Sequence, residues 1–294
     1  MLLVTPTAAE LKTQELYGDI WDSYKKKKRP RRGYHAPATS HIELLKLASN
    51  TKIVQGEAGI DAGCGNGGSV IAMANQHPNI RFVGIDLTGS LQLAATLAEN
   101  IPNVRFVQGN LMNPPLAKHA FDFIYSFGVL HHTRNPEMVF RSLLERLRPG
   151  GRITIFVYKD FSDLPLKKWL LAPITLVRRL TTKLPAPFLR KLAWLGAPIV
   201  FVFLTLPSRL LRLLHLGRLA KHIPYGTFPS LRGIAASLED RFGAPYEHRF
   251  SLSDLQTWAQ ANNLEETRIV DCLPWGFSGL VLSGRTPWLK TTHI

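Results

Sequence analysis

The sequence predicts an α/β fold, a mostly parallel sheet covered by helices and interrupted by a helical insertion. Three observations carry this. From Gly56 onward, short apolar runs alternate with helical periods, the pattern of a parallel sheet with covered faces. A glycine-rich stretch, Gly59-Ile-Asp-Ala-Gly-Cys-Gly-Asn-Gly-Gly68, joins the first run to the first helix. The alternation stops at residue 161 and resumes near 253, so 161–245 reads as an insertion and not as a second free domain.

In chain order, residues 8–28 can form a helix with Leu11, Leu16, Ile20 and Trp21 near one face; it runs into a lysine cluster and is stopped by Pro30 and Gly33. A second helix is expected over Ser40–Ala48. Strands follow at Gly59–Ala62, Arg81–Asp86, Val104–Gln108, Phe121–Ser126 and Arg152–Tyr158, with helices at Gly68–Gln76, Ser90–Asn100 and Pro136–Leu147 between them. The insertion is Leu-rich, broken by prolines and without strand signals. Beyond it, Ser253-x-x-Gln256 reads as a capping box opening a helix that ends near Asn262-Asn263. Strands Thr267–Val270 and Gly279–Ser283 then supply the last pieces of the sheet. The expected division is an N-terminal helical region (1–55), a core (56–160 and 246–286) and the insertion (161–245). No internal repeat or low-complexity tract interrupts this plan.

The chain has 294 residues, 45% hydrophobic and 19% charged, enough for a large core and unlike a disordered tail. Its net charge of +15 is unevenly placed. Seven basic residues and no acid lie in Lys25–Arg32, and eleven basic residues and no acid lie in Leu164–His222. Setting those 18 aside leaves 18 basic residues against all 21 acids, so the rest of the chain is weakly acidic, net −3. The two cysteines, Cys64 and Cys272, build no disulfide framework and no Cys/His cluster has zinc-ligand spacing, so a reducing compartment and no metal are expected. The start has neither the basic nor the apolar region of a secretory signal. The longest uncharged run, 17 residues between Lys191 and Arg209, holds Pro198 and Pro207 and is basic on both flanks; it reads as buried or interfacial and not as a membrane span.

The glycine stretch fits two patterns. Gly63, Gly65 and Gly68 match the dinucleotide loop, whereas Asp61, Gly63, Gly65 and Gly67 match Asp-x-Gly-x-Gly-x-Gly. Asp61 decides between them, because a carboxylate repels a pyrophosphate but attracts a ligand carrying an ammonium and a sulfonium. S-Adenosylmethionine is therefore favoured over NAD. Asp86, 19 residues after Gly67 and at the end of the next strand, can accept ribose hydroxyls.

Over residues 56–160 the chain resembles the class I S-adenosylmethionine-dependent methyltransferases. The resemblance rests on the glycine loop, on Phe121-Asp-Phe-Ile-Tyr-Ser-Phe-Gly-Val-Leu-His-His-Thr133 and on Leu147-Arg-Pro-Gly-Gly151. Weaker likeness extends to Leu16–Trp21, Leu180–Pro185, Asp240–Tyr246 and the segment from Trp275. It implies a Rossmann-like methyltransferase sheet with an antiparallel last strand, and a helical insertion acting as a lid. It also implies that Gly63, Cys64, Gly65 and Gly67 line the methionine and ribose, with Asp61 near the amino group. Asp86 would bind the ribose, Leu87 would lie against the adenine, and Asn110-Leu111 would stand where relatives usually have an acid beside the adenine amino group. Ser126 and Phe127 would face the sulfonium.

Asn113-Pro-Pro-Leu116 imitates a motif of amino-group methyltransferases, but it precedes the fourth strand instead of ending it and reads as an ordinary loop. His131-His132 follows the fourth strand on the ligand side; His131 is the catalytic candidate, able to take a proton from an acceptor or orient it. Methyl transfer from a sulfonium needs mainly in-line positioning, so a missing catalytic dyad is no objection to an enzyme. Tyr24, Tyr34, Tyr225, Tyr246 and His248 are further candidates for the acceptor pocket.

In the insertion, aliphatic runs alternate with Lys/Arg, and Arg209, Arg212, Arg218 and Lys221 recur at spacings that suit one side of a helix. Segments 164–222 and 25–32 are thus candidates for contact with an anionic membrane, alongside the lid reading. Nucleic acid is disfavoured, because the basic residues are diluted by aliphatic runs and not interleaved with stacking aromatics. The expected function is methyl transfer from S-adenosylmethionine to a small or lipid-like acceptor, with O-, N- and C-methylation open. The alternatives are a membrane- or partner-binding protein on the same fold and, below it, an RNA methyltransferase. The expected location is the cytoplasm, peripheral at the inner face of the membrane; the oligomeric state is left open.

Overall fold

The structure, a computed structural model, describes residues 7–22, 40–50, 52–220, 223, 230–273 and 277–288. Its helices are α1 (Ala8–Asp22), α2 (Ser40–Ser49), α3 (Gly68–Gln76), α4 (Leu91–Leu97), α5 (Pro136–Leu144), α6 (Pro165–Thr181), α7 (Ala186–Val200), α8 (Leu206–Leu213), α9 (Gly217–Ala220), α10 (Leu231–Gly243) and α11 (Leu252–Ala261). Its strands are β1 (Ala58–Ala62), β2 (Arg81–Asp86), β3 (Val104–Gln108), β4 (Phe121–Phe127), β5 (Leu147–Tyr158), β6 (Glu265–Asp271) and β7 (Gly279–Arg285). The strands form one sheet in the order β3-β2-β1-β4-β5-β7-β6. From β3 to β5 all neighbours are parallel; β7 inserts antiparallel between β5 and β6.

This is the class I methyltransferase sheet, mostly parallel with an antiparallel last strand. The chain leaves β1 toward β2 and β3, then returns to β4 on β1's other side. The crevice at the carboxyl ends of β1 and β4 is therefore the switch point where open α/β sheets bind ligands. Period-two alternation separates two cores. Ile60, Ile124, Ile153, Leu282 and Trp258 pack on one face, and Phe82, Phe123, Tyr125, Phe156 and Val281 on the other. Gly59 is required on the second face, since a Cβ there would stand 2.0 Å from the Phe123 ring.

The chain divides into two compact units, one from 1–37 and 166–245, the other from 38–165 and 246–294. The residues grouped by sequence as 1–55 are thereby parted. Tyr17 of α1 donates its hydroxyl to Asp240 of α10 at 2.6 Å, and Lys12 reaches the carbonyls of Thr182 and Leu184, so α1 belongs with the inserted helices. In α2, Ile42, Leu44 and Leu45 are buried in the same core as Phe156 and Val281, so α2 belongs with the sheet.

Other boundaries shift for local reasons. β5 begins at Leu147, because Arg148-Pro-Gly-Gly151, which looks like a turn, is carried into the strand after a register shift between Phe121 and Phe123. The capping box is Ser251 with Asp254, not Ser253 with Gln256: Asp254 N donates to Ser251 Oγ at 3.1 Å and Ser251 N to Asp254 Oδ2 at 2.7 Å. The uncharged run after Lys191 lies on a continuous helix, Ala186–Leu213, of which only 22% of the most apolar window is buried. Of the two expectations, buried or interfacial, the buried one does not hold for it. The basic run 25–32, Tyr24, Tyr34 and Tyr225 lie outside the described residues.

Candidate cofactor and active site

The loop after β1 turns through three left-handed glycines, Gly63, Gly65 and Gly67, with φ of 81°, 55° and 79°. Only glycine adopts such values without strain. The loop is tied to β2: Gly63 N donates to Ile85 O at 2.8 Å, and Gly65 N to Asp86 Oδ2 at 2.8 Å. A Cβ on Gly63 would lie 2.3 Å from Val129, in the segment after β4, so this loop and that segment are in contact. α3 starts immediately afterwards at Gly68.

Asp61 projects from β1 on the same face as Tyr125, its register partner on β4. It is 4% exposed, and its Oδ2 has no hydrogen-bond partner. Burial pushes its carboxyl up to about 8; the Tyr125 hydroxyl opposes the shift and the Asp86 carboxylate adds to it. The Tyr125 hydroxyl is itself buried without an aligned partner. Burial also drives the Cys64 thiol well above its usual range, with Asp61 and Asp86 contributing. Cys64 is an inert lining group and no nucleophile.

Asp86 is more occupied than its sequence position suggests. Besides Gly65 N, it accepts Thr88 N at 2.9 Å and Thr88 Oγ1 at 2.8 Å. Thr88 Oγ1 also lies 2.6 Å from Ser90 Oγ, and Ser90 Oγ donates to Gly65 O at 2.9 Å. The result is a ring of polar contacts linking β2 to the glycine loop. Burial raises the Asp86 carboxyl, with the bonds from Thr88, Gly65 and the Leu87 backbone opposing it. These bonds hold the Asp86 carboxylate at the end of β2, beside the glycine loop. Leu87, next in line, is half-buried.

Asn110 Oδ1 accepts Met112 N at 2.9 Å in a local turn. The oxygen expected at an adenine amino group therefore already has a donor. Leu111 is buried in the sheet core. Ser126 Oγ donates to Ala62 O at 2.7 Å, fastening β4 to β1 at the head of the crevice, while Phe127 stacks on Phe156 at 4.4 Å. Asn113–Leu116 lies in the loop between β3 and β4, where Pro115 packs over Gly109.

After β4, Leu130–His132 form one 3-10 turn. His131 is fully buried, both its ring nitrogens lack partners, and its ring stacks on Tyr158 at 3.8 Å. Burial lowers its pKa well below 6.5, helped by His132, Arg249 and His248, so it is neutral at physiological pH. His132 Nδ1 meets Tyr246 O at 2.8 Å, and His248 N donates to His131 O at 2.8 Å. The structure thus brings His131, Tyr246 and His248 together, with Tyr158 as an added wall. Sequence reading missed Tyr158, Tyr125, Thr88, Ser90 and Val129. Of these only Thr88 and Ser90 carried a local signal, as hydroxyls just beyond a strand-end aspartate.

Among the described residues no group of three or more His, Cys, Asp or Glu side chains could hold a metal.

A family profile described as "Methyltransferase domain" matches residues 60–155. The chain is 32% identical over 98 residues to trans-aconitate 2-methyltransferase of Deinococcus radiodurans, covering 33% of this chain and 36% of that protein. It is 30% identical over 121 residues to phosphoethanolamine N-methyltransferase of Triticum aestivum, covering 40% of this chain and 22% of that one. The matched part is thus well under two thirds of either relative's length. A Thermotoga maritima structure described as a SAM-dependent methyltransferase superposes with a TM-score of 0.52 at 12% identity, over 93% of this chain and 99% of that one, a likeness of fold. The glycine loop, Asp61 and Asp86 all lie inside the segment that matches the methyltransferase-domain profile, and the sheet that carries them has the class I methyltransferase fold.

Proposed function

We propose that the protein is an enzyme that moves a methyl group from S-adenosylmethionine to a small or lipid-like acceptor, with O-, N- and C-methylation all open. The observation that carries this reading is Asp61. A buried carboxyl oxygen without a partner, beside a loop that comes close to a ligand through three left-handed glycines, lacks one thing, a cationic donor. The methionine ammonium of S-adenosylmethionine fits that need.

When bound, S-adenosylmethionine supplies a methyl group on a positively charged sulfur that is a good leaving group. The work of the chain is to hold and orient. Asp61 fixes the ammonium, the backbone at Gly63, Cys64, Gly65 and Gly67 lines the methionine and ribose, and Asp86 binds the ribose. Leu87, Asn110 and Leu111 border the adenine side. His131, neutral and with neither ring nitrogen bonded within the fold, orients the acceptor or accepts its proton at the unprotonated nitrogen if it has one to lose. We place the protein in the cytoplasm, peripheral at the inner face of the membrane and meeting its acceptor there; two buried thiols and the exposed apolar helix Ala186–Leu213 support this.

Calorimetry tests the reading. S-Adenosylmethionine should bind the full-length protein, and Asp61→Asn should weaken binding ten- to a hundredfold, the usual worth of a charge-assisted hydrogen bond. Absence of binding would overturn it. Radiolabelled methyl donor incubated with cell extract should then place label in the organic phase if the acceptor is lipid-like, and in the aqueous phase if it is small and polar.

A further inference from the structure

The helix Ala186–Leu213 is built inside out. Its inward positions are small: Ala186, Ala193 and Ala197 are buried together with Leu189, and farther along Thr205 and Ser208 are buried. Ala197 packs on Ile234 and Ala235 of α10. Its large side chains point the other way. Phe188, Leu192, Leu195, Ile199, Val202, Leu206, Leu210 and Leu213 are all exposed, Leu195 by 71% and Leu213 by 76%. Their spacings of three and four keep them on one stripe along a rod of about 42 Å. Pro207 has no N–H to continue the ladder, and the helix passes it through a π turn in which Leu206 N donates to Phe201 O. The stripe thus runs unbroken from end to end.

Two further features say what covers the stripe. Lys191, Trp194, Arg209 and Arg212 lie along one edge of it, at about 100° per residue, and no acid occurs anywhere in 164–222. Lys191 and Trp194 also line an open groove with Pro187, Arg190 and Leu195. An apolar stripe edged by cations and an indole matches the boundary between acyl chains and anionic headgroups. The opposite face of the rod carries charge. Arg190 pairs with Asp19 and approaches Glu239 at 3.7 Å, and Asp240 is held by Tyr17. A membrane-spanning orientation would draw that network into hydrocarbon; a side-on orientation leaves it in water.

We propose that the rod 186–213 lies side-on in the headgroup–acyl boundary of an anionic phospholipid bilayer, its stripe inserted and its basic edge against the headgroups. The inference does not rest on the methyl-transfer reading, and it gives that reading a lipid phase from which to draw an acceptor.

The test is flotation of the full-length protein with vesicles of phosphatidylcholine alone and with 30% phosphatidylglycerol, over a salt series. Binding is expected to the anionic vesicles and to weaken with salt. Lys191→Gln/Arg209→Gln/Arg212→Gln should weaken it on the order of a hundredfold, from the usual contribution per cation near such a surface. Leu195→Glu/Val202→Glu should abolish it while the circular dichroism melt stays in place, these positions being exposed. A fluorophore on Ile199→Cys reads depth, since both native cysteines are buried. Quenching should be stronger from lipids labelled near the glycerol than from those labelled at the chain end. Failure to float with anionic vesicles, equal binding by the triple variant, quenching strongest at the bilayer centre, or a stripe occupied instead by a second copy in a stable dimer would overturn the proposal. S-Adenosylmethionine binding is measured on the same samples, so loss of one property with retention of the other assigns the failure to one reading.

Discussion

Asp61 and Tyr125 are register partners on β1 and β4, and each brings a buried oxygen without an aligned partner to the same face of the sheet. Burial there favours a proton on Asp61. Its carboxyl is raised from 3.8 to about 8 by burial, so the folded state binds a proton that the unfolded chain releases across that interval. This stabilising contribution is complete below about pH 4 and is lost as pH rises through about 8. Asp61→Asn should flatten that dependence and raise the melting temperature of the ligand-free protein at pH 8.5, which differential scanning calorimetry can read. An ammonium ligand selects the ionised carboxylate, so affinity should increase as pH rises from 6 toward about 8, where the ligand's own amino group begins to lose its proton. Titrations in buffers of different ionisation enthalpy should show release of close to one proton at pH 7.

Asp86→Ala should cost more than a binding contact. It strands the amides of Gly65 and Thr88 and the Thr88 hydroxyl, all buried, at about 2–4 kcal/mol by the usual penalty for breaking such a network. Asp86→Asn keeps an acceptor for part of the ring and should retain more stability than it retains affinity for S-adenosylmethionine. Urea unfolding and calorimetry of the two variants separate the effects.

Gly63→Ala places a methyl 2.3 Å from the Val129 side chain at a φ of 81°. A loss of about 2 kcal/mol or more is expected, from steric overlap and the left-handed backbone together. Gly63→Ala/Val129→Ala should recover the steric part alone. Full recovery would mean that the backbone angle costs nothing there.

His131 is neutral in the fold because burial holds its pKa well below 6.5. The sign is opposite to that of Asp61. The unfolded chain gains a proton that the folded one resists, so this contribution to stability is present above about pH 6.5 and lost as pH falls below it. His131→Asn should lower turnover by about a hundred- to ten-thousandfold for an acceptor that must lose a proton, with S-adenosylmethionine affinity unchanged. For an acceptor with no proton to lose, the loss should be small.

The parts of this molecule that were legible in the sequence are those governed by neighbours in the chain. β2 and β3 were bounded to the residue because apolar runs there end abruptly at turn-forming segments. The glycine loop was legible because positive φ leaves a compositional mark. The start of β5 was not, since Pro149 and two glycines carry the marks of a turn, and only pairing with β4 makes Leu147 a strand residue. Two serines two positions apart displaced the capping box. Tyr125 gave no local sign of its role, because its relation to Asp61 exists only through a pairing of strands 64 residues apart. The uncharged run after Lys191 marked the apolar segment but not its polarity, since such a run cannot say which face a neighbour covers.

The contact between Val129 and the glycine loop has a kinetic meaning. Val129 lies against Gly63, and the turn bearing His131 begins at the next residue. Val129 joins loop and histidine, so on the proposed function settling the loop around the methyl donor would also set the imidazole proposed to meet the acceptor. Such a linkage favours an ordered sequence in which the methyl donor enters first and its demethylated product leaves last, with product inhibition competitive against the donor and noncompetitive against the acceptor.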